Sequence, residues 1–94
     1  MRNYEIMFIL STQLTEEEKQ TGIKYVEDTL KAAGADPVTT EILGDKKLAY
    51  PINKKENGFY VLTAFQIDGT RLIEVEGKLN INENLMKYMI VKID

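Results

Sequence analysis

The stretch FYVLTAFQI, residues 59–67, decides the fold that this sequence predicts. It is apolar almost without interruption, and it is rich in aromatic and β-branched residues, which is typical of a β-strand. A strand that is apolar on both faces usually lies in the middle of its sheet. We therefore expect residues 59–67 to form a central strand.

A second strand of this kind lies near the start of the chain. One of its faces is wholly apolar, and Met7 and Ile9 make the other face partly apolar. The wholly apolar face consists of Tyr4, Ile6, Phe8 and Leu10. The sequence thus predicts two central strands.

Two further segments are strand-like, and the first of them has the character of an edge. Residues 38–52 are interrupted by Gly44 and contain Pro51. Because proline cannot donate a hydrogen bond to a neighbouring strand, this segment should lie at an edge or contain a bulge. The Asn-Gly pair at residues 57–58 predicts a turn before the central strand. The last strand-like segment covers residues 85–93, with apolar side chains on both faces.

Two amphipathic helices complete the pattern. In the first, Thr15 and Glu18 have the spacing of a capping box, and Gly34 is suited to the left-handed position after the last turn. In the second, Thr70 is the predicted cap. The predicted buried stripes are Ile23, Val26, Leu30 and Ala33 in the first helix, and Leu72, Val75 and Leu79 in the second.

The predicted order is βαββαβ, and 94 residues suit one domain over residues 1–94. Two interleaved half-units of this kind form a ferredoxin-like α+β sandwich, a four-stranded antiparallel sheet with both helices on one face. In that arrangement strands one and three are central and strands two and four are edges. The apolar runs and the proline agree with this order.

Composition limits the possible functions. The chain has 44% hydrophobic and 29% charged residues and a formal net charge of −3, which is typical of a folded, soluble domain. It has no cysteine and no histidine, which excludes disulfides, thiolate metal sites and the commonest general base. The apolar segment at the start is too short for a membrane span and has no signal cleavage site, so we expect a cytoplasmic protein.

Nothing in the sequence indicates an enzyme. Acyl-phosphate hydrolases with this fold need glycine and arginine in the loop after the first strand, and residues 11–15 read STQLT. No activated nucleophile, metal-ligand cluster or phosphate loop is recognisable, so we expect neither catalysis nor a cofactor. The acidic residues 16–18 are better explained as the solvated first turn of a capped helix than as cation ligands.

The third strand only partly resembles an RNA-recognition motif. Gly58 and Phe59 are present, but the K/R-G-F/Y-G/A-F-V order is not. We expect Phe59 and Phe65 in the core. The face of the sheet away from the helices should then show apolar groups, which often indicate a protein contact. The candidates for that face are Met7, Ile9, Tyr60 and Tyr88.

Positive charge is concentrated in one place, which we call the lysine cluster. It consists of Lys46, Lys47, Lys54 and Lys55, with no acidic residue between them. At an edge strand these lysines should lie at one rim of the sheet, on the side where Arg2 adds to them. They either block edge-to-edge aggregation or contact phosphates, and both readings remain open.

Three segments carry a resemblance to a known family. They are MRNYEIMFIL at residues 1–10, GDKKLAYPINKKENGFYVL at 44–62 and LNINENLMKYMIVKI at 79–93. The first resembles an M-R-x-Y-E start, and the second resembles the signature G-x-(R/K)-x-L-A-Y-P-I-x-K-x-x-x-G-x-Y. Both belong to the family of the sixth protein of the bacterial small ribosomal subunit. Many members of that family carry a charged or extended C-terminal tail, whereas this sequence stops at Asp94.

The resemblance implies a ferredoxin-like fold and a structural role in the ribosome, in the cytoplasm. It implies binding to the central domain of 16S ribosomal RNA together with the eighteenth small-subunit protein as heterodimer partner, without a cofactor, a small-molecule substrate or a membrane. A basic partner would supply phosphate neutralisation, while the acidic and apolar surfaces of this chain meet that partner. By position, the implied RNA- or partner-binding residues are Arg2, Asn3, Lys46, Lys47, Tyr50, Lys54 and Lys55, followed by Lys87 and Lys92.

One alternative remains open. The same fold suits a small ligand-binding or regulatory module that self-associates through its sheet. That alternative predicts a concentration-dependent homodimer, thermal stabilisation by a small molecule and no effect of ribosomal RNA.

Overall fold

The order of strands and helices is βαββαβ, which confirms the predicted ferredoxin-like α+β fold. The computed structural model describes residues 1–52 and 55–93, with side chains for residues 1–47 and 57–93. The elements are β1 (Arg2–Leu10), α1 (Glu16–Ala32), β2 (Val38–Ile52), β3 (Lys55–Ile67), α2 (Leu72–Asn80) and β4 (Leu85–Lys92). A single 3₁₀ turn, Gly69–Arg71, precedes α2.

The four strands form one antiparallel sheet in the order β2-β3-β1-β4. The two strands predicted to be central, β1 and β3, are therefore central. The strand that contains the proline is an edge, also as predicted, and its pairing with β3 shifts register between Ile42 and Gly44. An edge position leaves one side of the strand without a partner, which is where a proline is tolerated.

One face of the sheet packs against both helices and forms the core. Ile6 and Phe8 of β1 lie opposite Thr63 and Val61 of β3, and all four are fully buried. The helices contribute the buried residues Ile23, Val26 and Leu30 of α1 and Val75 and Leu79 of α2 to the same cluster. Full burial of one such apolar side chain contributes about 1.5–3 kcal/mol, so this layer is the main source of stability.

Helix α1 has the predicted ends. The Glu18 backbone N–H donates to the Thr15 hydroxyl at 3.1 Å, and the Thr15 backbone N–H donates to the Glu18 carboxylate at 2.9 Å. These two hydrogen bonds confirm the capping box. After the helix, Gly34 has a φ of 91°, the left-handed conformation that glycine adopts without steric cost.

The predicted start of the second helix is wrong. The N-cap of α2 is Arg71, whose side chain makes no capping hydrogen bond. Thr70 lies in the preceding 3₁₀ turn, and that turn is capped by Asp68, whose carboxylate accepts hydrogen bonds from the Thr70 backbone N–H at 3.0 Å and the Thr70 hydroxyl at 2.9 Å. Thr70 therefore donates the capped N–H group of the 3₁₀ turn, and its own side chain does not cap the helix. The predicted stripe is present, with Val75 and Leu79 buried and Leu72 half-buried.

The predicted Asn-Gly turn is also wrong. Asn57 and Gly58 lie inside β3, opposite Lys47 and Lys46 of β2. Strand pairing overrides the local turn preference of this dipeptide, and the chain passes from β2 to β3 through residues 53 and 54, which lie outside the described residues. Since Leu10, the last residue of β1, pairs with Phe59, the part of β3 before Phe59 extends beyond β1 and pairs with β2.

Candidate nucleic-acid and protein interface

The overhanging end of the β2–β3 hairpin carries the first group of candidate residues. Lys46 and Lys47 are both exposed, and neither forms an ion pair with another described residue. As neighbours in a strand they point to opposite faces of the hairpin. Lys46 lies opposite a glycine, so no side chain on the facing strand covers it. Two unpaired cations on a projecting hairpin suit contact with a polyanion.

The other candidates of this group are only partly described. Tyr50 lies in β2 and Lys55 is the first residue of β3, and their side chains are outside the described part of the structure. Lys54 is outside the described residues.

Arg2 and Lys92 form a second group at the other end of the sheet. Arg2 pairs with Ile67 of β3, and Lys92 pairs with Tyr4 of β1. Gly58 and Ile67 are nine positions apart on β3, which corresponds to about 30 Å at roughly 3.3 Å per residue. The expectation that Arg2 adds to the rim of the lysine cluster is therefore wrong. Because β1 runs antiparallel to β3, its first residue lies farthest from the hairpin.

The face of the sheet away from the helices, the open face, has an apolar centre. Met7 lies between Leu62 of β3 and Met89 of β4, and Ile9 lies opposite Tyr60. The open face comprises Met7, Ile9, Tyr60, Leu62, Met89 and Val91. The predicted positions of Met7, Ile9 and Tyr60 are thus confirmed.

The predicted position of Tyr88 on this face is wrong. Tyr88 pairs with Phe8, so it points towards the helices, and its hydroxyl donates to the Asn80 side-chain oxygen at 2.8 Å. Burial raises the pKa of the Tyr88 hydroxyl. The segment from 85 to 93 is apolar at both odd and even positions, so alternation alone does not show which set faces the core.

The remaining two candidates lie on the open face. Asn3 is half-buried opposite Gln66, and Lys87 is exposed opposite Ile9. Both interact with other residues of the chain. Two carboxylates border the apolar centre, since Glu5 pairs with Ala64 and Glu41 pairs with Leu62. The open face therefore combines apolar area with charge of both signs.

One buried cation is not apparent from the sequence. Lys19 of α1 is buried, with its ammonium 4.6 Å from the centre of the Phe59 ring and 3.6 Å from a Glu16 carboxylate oxygen. This contact holds the start of α1 against β3 at the point where the hairpin leaves the sheet. In the sequence this lysine follows three glutamates, a pattern that predicts a solvent-exposed helix turn. Its burial depends on how α1 packs on the sheet.

The described residues contain no group of three or more acidic side chains placed to hold a metal ion. Glu16, Glu17 and Glu18 are all exposed, and Glu18 is used by the capping box. Neither α1 nor α2, the helices of the described chain, is long and apolar enough to span a bilayer.

Comparison with known proteins decides the family. The family model described as ribosomal protein S6 matches residues 3–92. The chain belongs to this family. The small ribosomal subunit protein bS6 of Fusobacterium nucleatum is 52% identical over 94 residues, covering all of both chains. The protein of the same name from a Sulfurovum species is 36% identical over 92 residues, covering 98% of this chain and 72% of the relative.

Solved structures agree with the family assignment. The crystal structure of 30S ribosomal protein S6 from Thermotoga maritima superimposes with a TM-score of 0.92 at 26% identity, covering 98% of this chain and 87% of that one. A de novo designed protein, Foldit4, gives a TM-score of 0.55 at 13% identity and shares the fold alone. The fold by itself therefore does not carry the function.

The family signature lies on the overhanging hairpin. The segment at residues 44–62, which carries the family signature, covers the projecting end of β2 and β3. The resemblance inferred from that segment is confirmed by the family match.

Proposed function

We propose that this protein is a structural constituent of the small ribosomal subunit that binds the central domain of 16S ribosomal RNA together with the eighteenth small-subunit protein. The match of the family model over residues 3–92 carries this proposal. The chain acts as one domain, without catalysis, cofactor, small-molecule substrate or membrane, and it works in the cytoplasm within the ribosome.

The cationic groups of the chain provide the RNA contacts. Lys46 and Lys47 are exposed and unpaired among the described residues, and each phosphate that they neutralise adds salt-dependent affinity without sequence readout. The residues proposed for contact with RNA or the partner are Arg2, Asn3, Lys46, Lys47, Tyr50, Lys54, Lys55, Lys87 and Lys92.

The net charge of −3 explains why a partner is needed. A basic partner supplies additional phosphate neutralisation and is attracted to the acidic surfaces of this chain. The open face offers an apolar centre bordered by Glu5 and Glu41, which suits a partner that has apolar side chains among its basic residues. We expect the heterodimer to bury this face.

Binding of a 16S central-domain RNA fragment, measured with and without the partner over a series of potassium chloride concentrations, tests the proposal. The isolated chain should bind weakly, and the heterodimer tightly and with a steep dependence on salt. Equal affinity with and without the partner would contradict the proposed heterodimer.

Removing charge from the hairpin tests the lysines themselves. The double variant Lys46→Gln/Lys47→Gln should lower the slope of log K against log salt by about 0.7–0.9 for each phosphate that is no longer neutralised. Lys24→Gln is the matched control, because Lys24 is an exposed helix lysine that pairs with Asp28 at 3.5 Å. An unchanged slope in the double variant would return these lysines to protection of the sheet edge.

The apolar open face also favours a second candidate, a self-associating module. Sedimentation equilibrium of the free chain separates the two. The ribosomal role predicts a 1:1 complex with the partner, whereas a tight homodimer that neither the partner nor ribosomal RNA disrupts would support the module.

A further inference from the structure

The end of the sheet opposite the hairpin contains a cleft that the lysine cluster does not reach. It lies between the start of β1, the turn after β3 and the end of β4, and its volume is about 450 Å³. It is lined by Met1, Arg2, Tyr4, Lys92 and residues 68–70, and we call it the terminal cleft. Its size is within the range of pockets that hold small ligands.

Two cations stand on the same side of the sheet at the mouth of the terminal cleft. Lys92 lies directly opposite Tyr4, and Arg2 is two positions before Tyr4. Arg2 and Lys92 are therefore diagonal neighbours, with Cα atoms about 7–8 Å apart. Both are exposed, and neither forms an ion pair with a described residue. A group with two negative oxygens can approach both at once.

The floor of the terminal cleft supplies a neutral donor. The Tyr4 ring stacks on the Phe65 ring with centroids 5.9 Å apart, which fixes the direction of its hydroxyl. A Cβ atom built on Gly69 would lie 2.9 Å from that hydroxyl, so only glycine leaves room for it. Within residues 1–52 and 55–93 no hydrogen-bond partner occupies the Tyr4 hydroxyl, which is therefore available to a ligand oxygen.

One negative group also lines the terminal cleft. The hydrogen bonds from the Thr70 backbone and hydroxyl lower the pKa of the Asp68 carboxyl, which is therefore ionised at neutral pH. The same bonds turn this carboxylate towards the turn. Asp68 offsets part of the charge of the two cations and weakens the attraction of the cleft for an anion.

We propose that the terminal cleft binds a phosphodiester group of the RNA backbone, with Arg2 and Lys92 on its charged oxygens and the Tyr4 hydroxyl donating a third hydrogen bond. This inference rests on the proposed function and deepens it. The terminal cleft and the lysine cluster lie about 30 Å apart along β3, so they contact phosphates that are not neighbours in the RNA. The chain then braces two separate stretches of backbone.

The test uses the heterodimer and a 16S central-domain fragment. Arg2→Gln and Lys92→Gln should each lower the slope of log K against log salt by about 0.7–0.9, so that the affinity relative to the unaltered heterodimer falls by about 5- to 8-fold when the salt is lowered tenfold. Asp68→Asn should raise the affinity, because it removes a negative charge and keeps a residue that caps a helical turn well. Lys24→Gln should leave binding unchanged.

Double variants separate the two sites. Lys46→Gln/Lys92→Gln should lose affinity as the product of the single losses, because residues this far apart act independently. Arg2→Gln/Lys92→Gln should lose less than the product, since both groups act on one phosphodiester.

The outcomes distinguish this inference from the proposed function. If the Lys46 and Lys47 variants weaken binding and the Arg2, Lys92 and Asp68 variants do not, the terminal cleft is not an RNA site and the ribosomal role stands. If no variant changes binding although the unaltered heterodimer binds the fragment, neither the terminal cleft nor the lysine cluster contacts RNA and this inference is overturned. If the unaltered heterodimer does not bind the fragment, the proposed function fails as well. Titration with inorganic phosphate, followed by amide shifts at Gly69 and Thr70, covers the remaining case. The same titration is done with an RNA oligonucleotide. If inorganic phosphate saturates these shifts at the same concentration as the oligonucleotide, the cleft is a site for free phosphate and the inference is overturned.

Discussion

The two faces of the sheet are built from the same strands but differ in almost every property. On β1, Phe8 is fully buried under the helices, whereas its neighbour Met7 is half-buried on the open face. On β4, Ile90 packs against the core while Met89 is 57% exposed. The strands alternate between holding the fold and offering a surface, so neighbouring residues should respond differently to the same substitution.

Phe8→Ala gives the largest expected effect. Removing a fully buried aromatic side chain should lower the free energy of unfolding by about 3–5 kcal/mol, because it leaves a cavity under both helices. Met7→Ala removes a half-buried side chain and should cost about 1 kcal/mol. Urea unfolding of both variants measures the difference.

The same pair tests the division between the faces. Met7→Ala should weaken binding to the partner more than its small loss of stability explains. Similar stability losses for the two variants, or normal partner binding by Met7→Ala, would show that the faces are not separate in function.

The helices cover only one face of the sheet, and weakening α1 tests how much that cover stabilises the protein. Thr15→Ala removes the capping box of α1 and should lower the free energy of unfolding by about 1 kcal/mol. Thr21→Ala in the same helix is the control, because its exposed hydroxyl bonds only to the Glu17 carbonyl among the described residues. Thermal unfolding of the two variants should separate them, and equal melting temperatures would exclude the cap as a source of stability.

The smallest expected effect is a gain. Gly77 lies in α2, and a Cβ atom placed on it would have nothing within 4 Å, so Gly77→Ala should stabilise the protein by about 0.5–1 kcal/mol through helix propensity. Gly22 of α1 is its counterpart, since a Cβ there would lie 3.3 Å from the Leu10 methyl carbons. Leu10 is fully buried, and Gly22→Ala should therefore destabilise. A gain in both variants would mean that the layer under α1 has room to adjust.

Much of the fold follows from local sequence. The apolar runs of β1 and β3, the proline of β2 and the box formed by Thr15 and Glu18 each act over a few residues, and each prediction from them is confirmed. Apart from the cap at Thr70, which a local 3₁₀ turn displaces, the predictions that fail depend on pairing between distant residues. Asn57 and Gly58 favour a turn locally, but opposite Lys47 and Lys46 they are strand residues.

The candidate site is less predictable for the same reason. The sequence shows Arg2 as one more cation, and only the antiparallel register places it at the far end from the hairpin, next to Lys92 and Tyr4. Asp68 and Gly69 have the character of turn residues, and only the fold brings Gly69 against the Tyr4 hydroxyl and Asp68 into the same cleft. No local pattern carries this information, because it depends on which ends of separate strands meet.

The sequence by itself determined the family, the order of strands and helices and the central or edge character of three strands, because periodicity, proline and capping act within one segment. The tertiary structure alone decided which face Tyr88 joins, how far the hairpin projects and which cations stand together. These depend on register, where a shift of one residue turns every side chain of a strand to the opposite face.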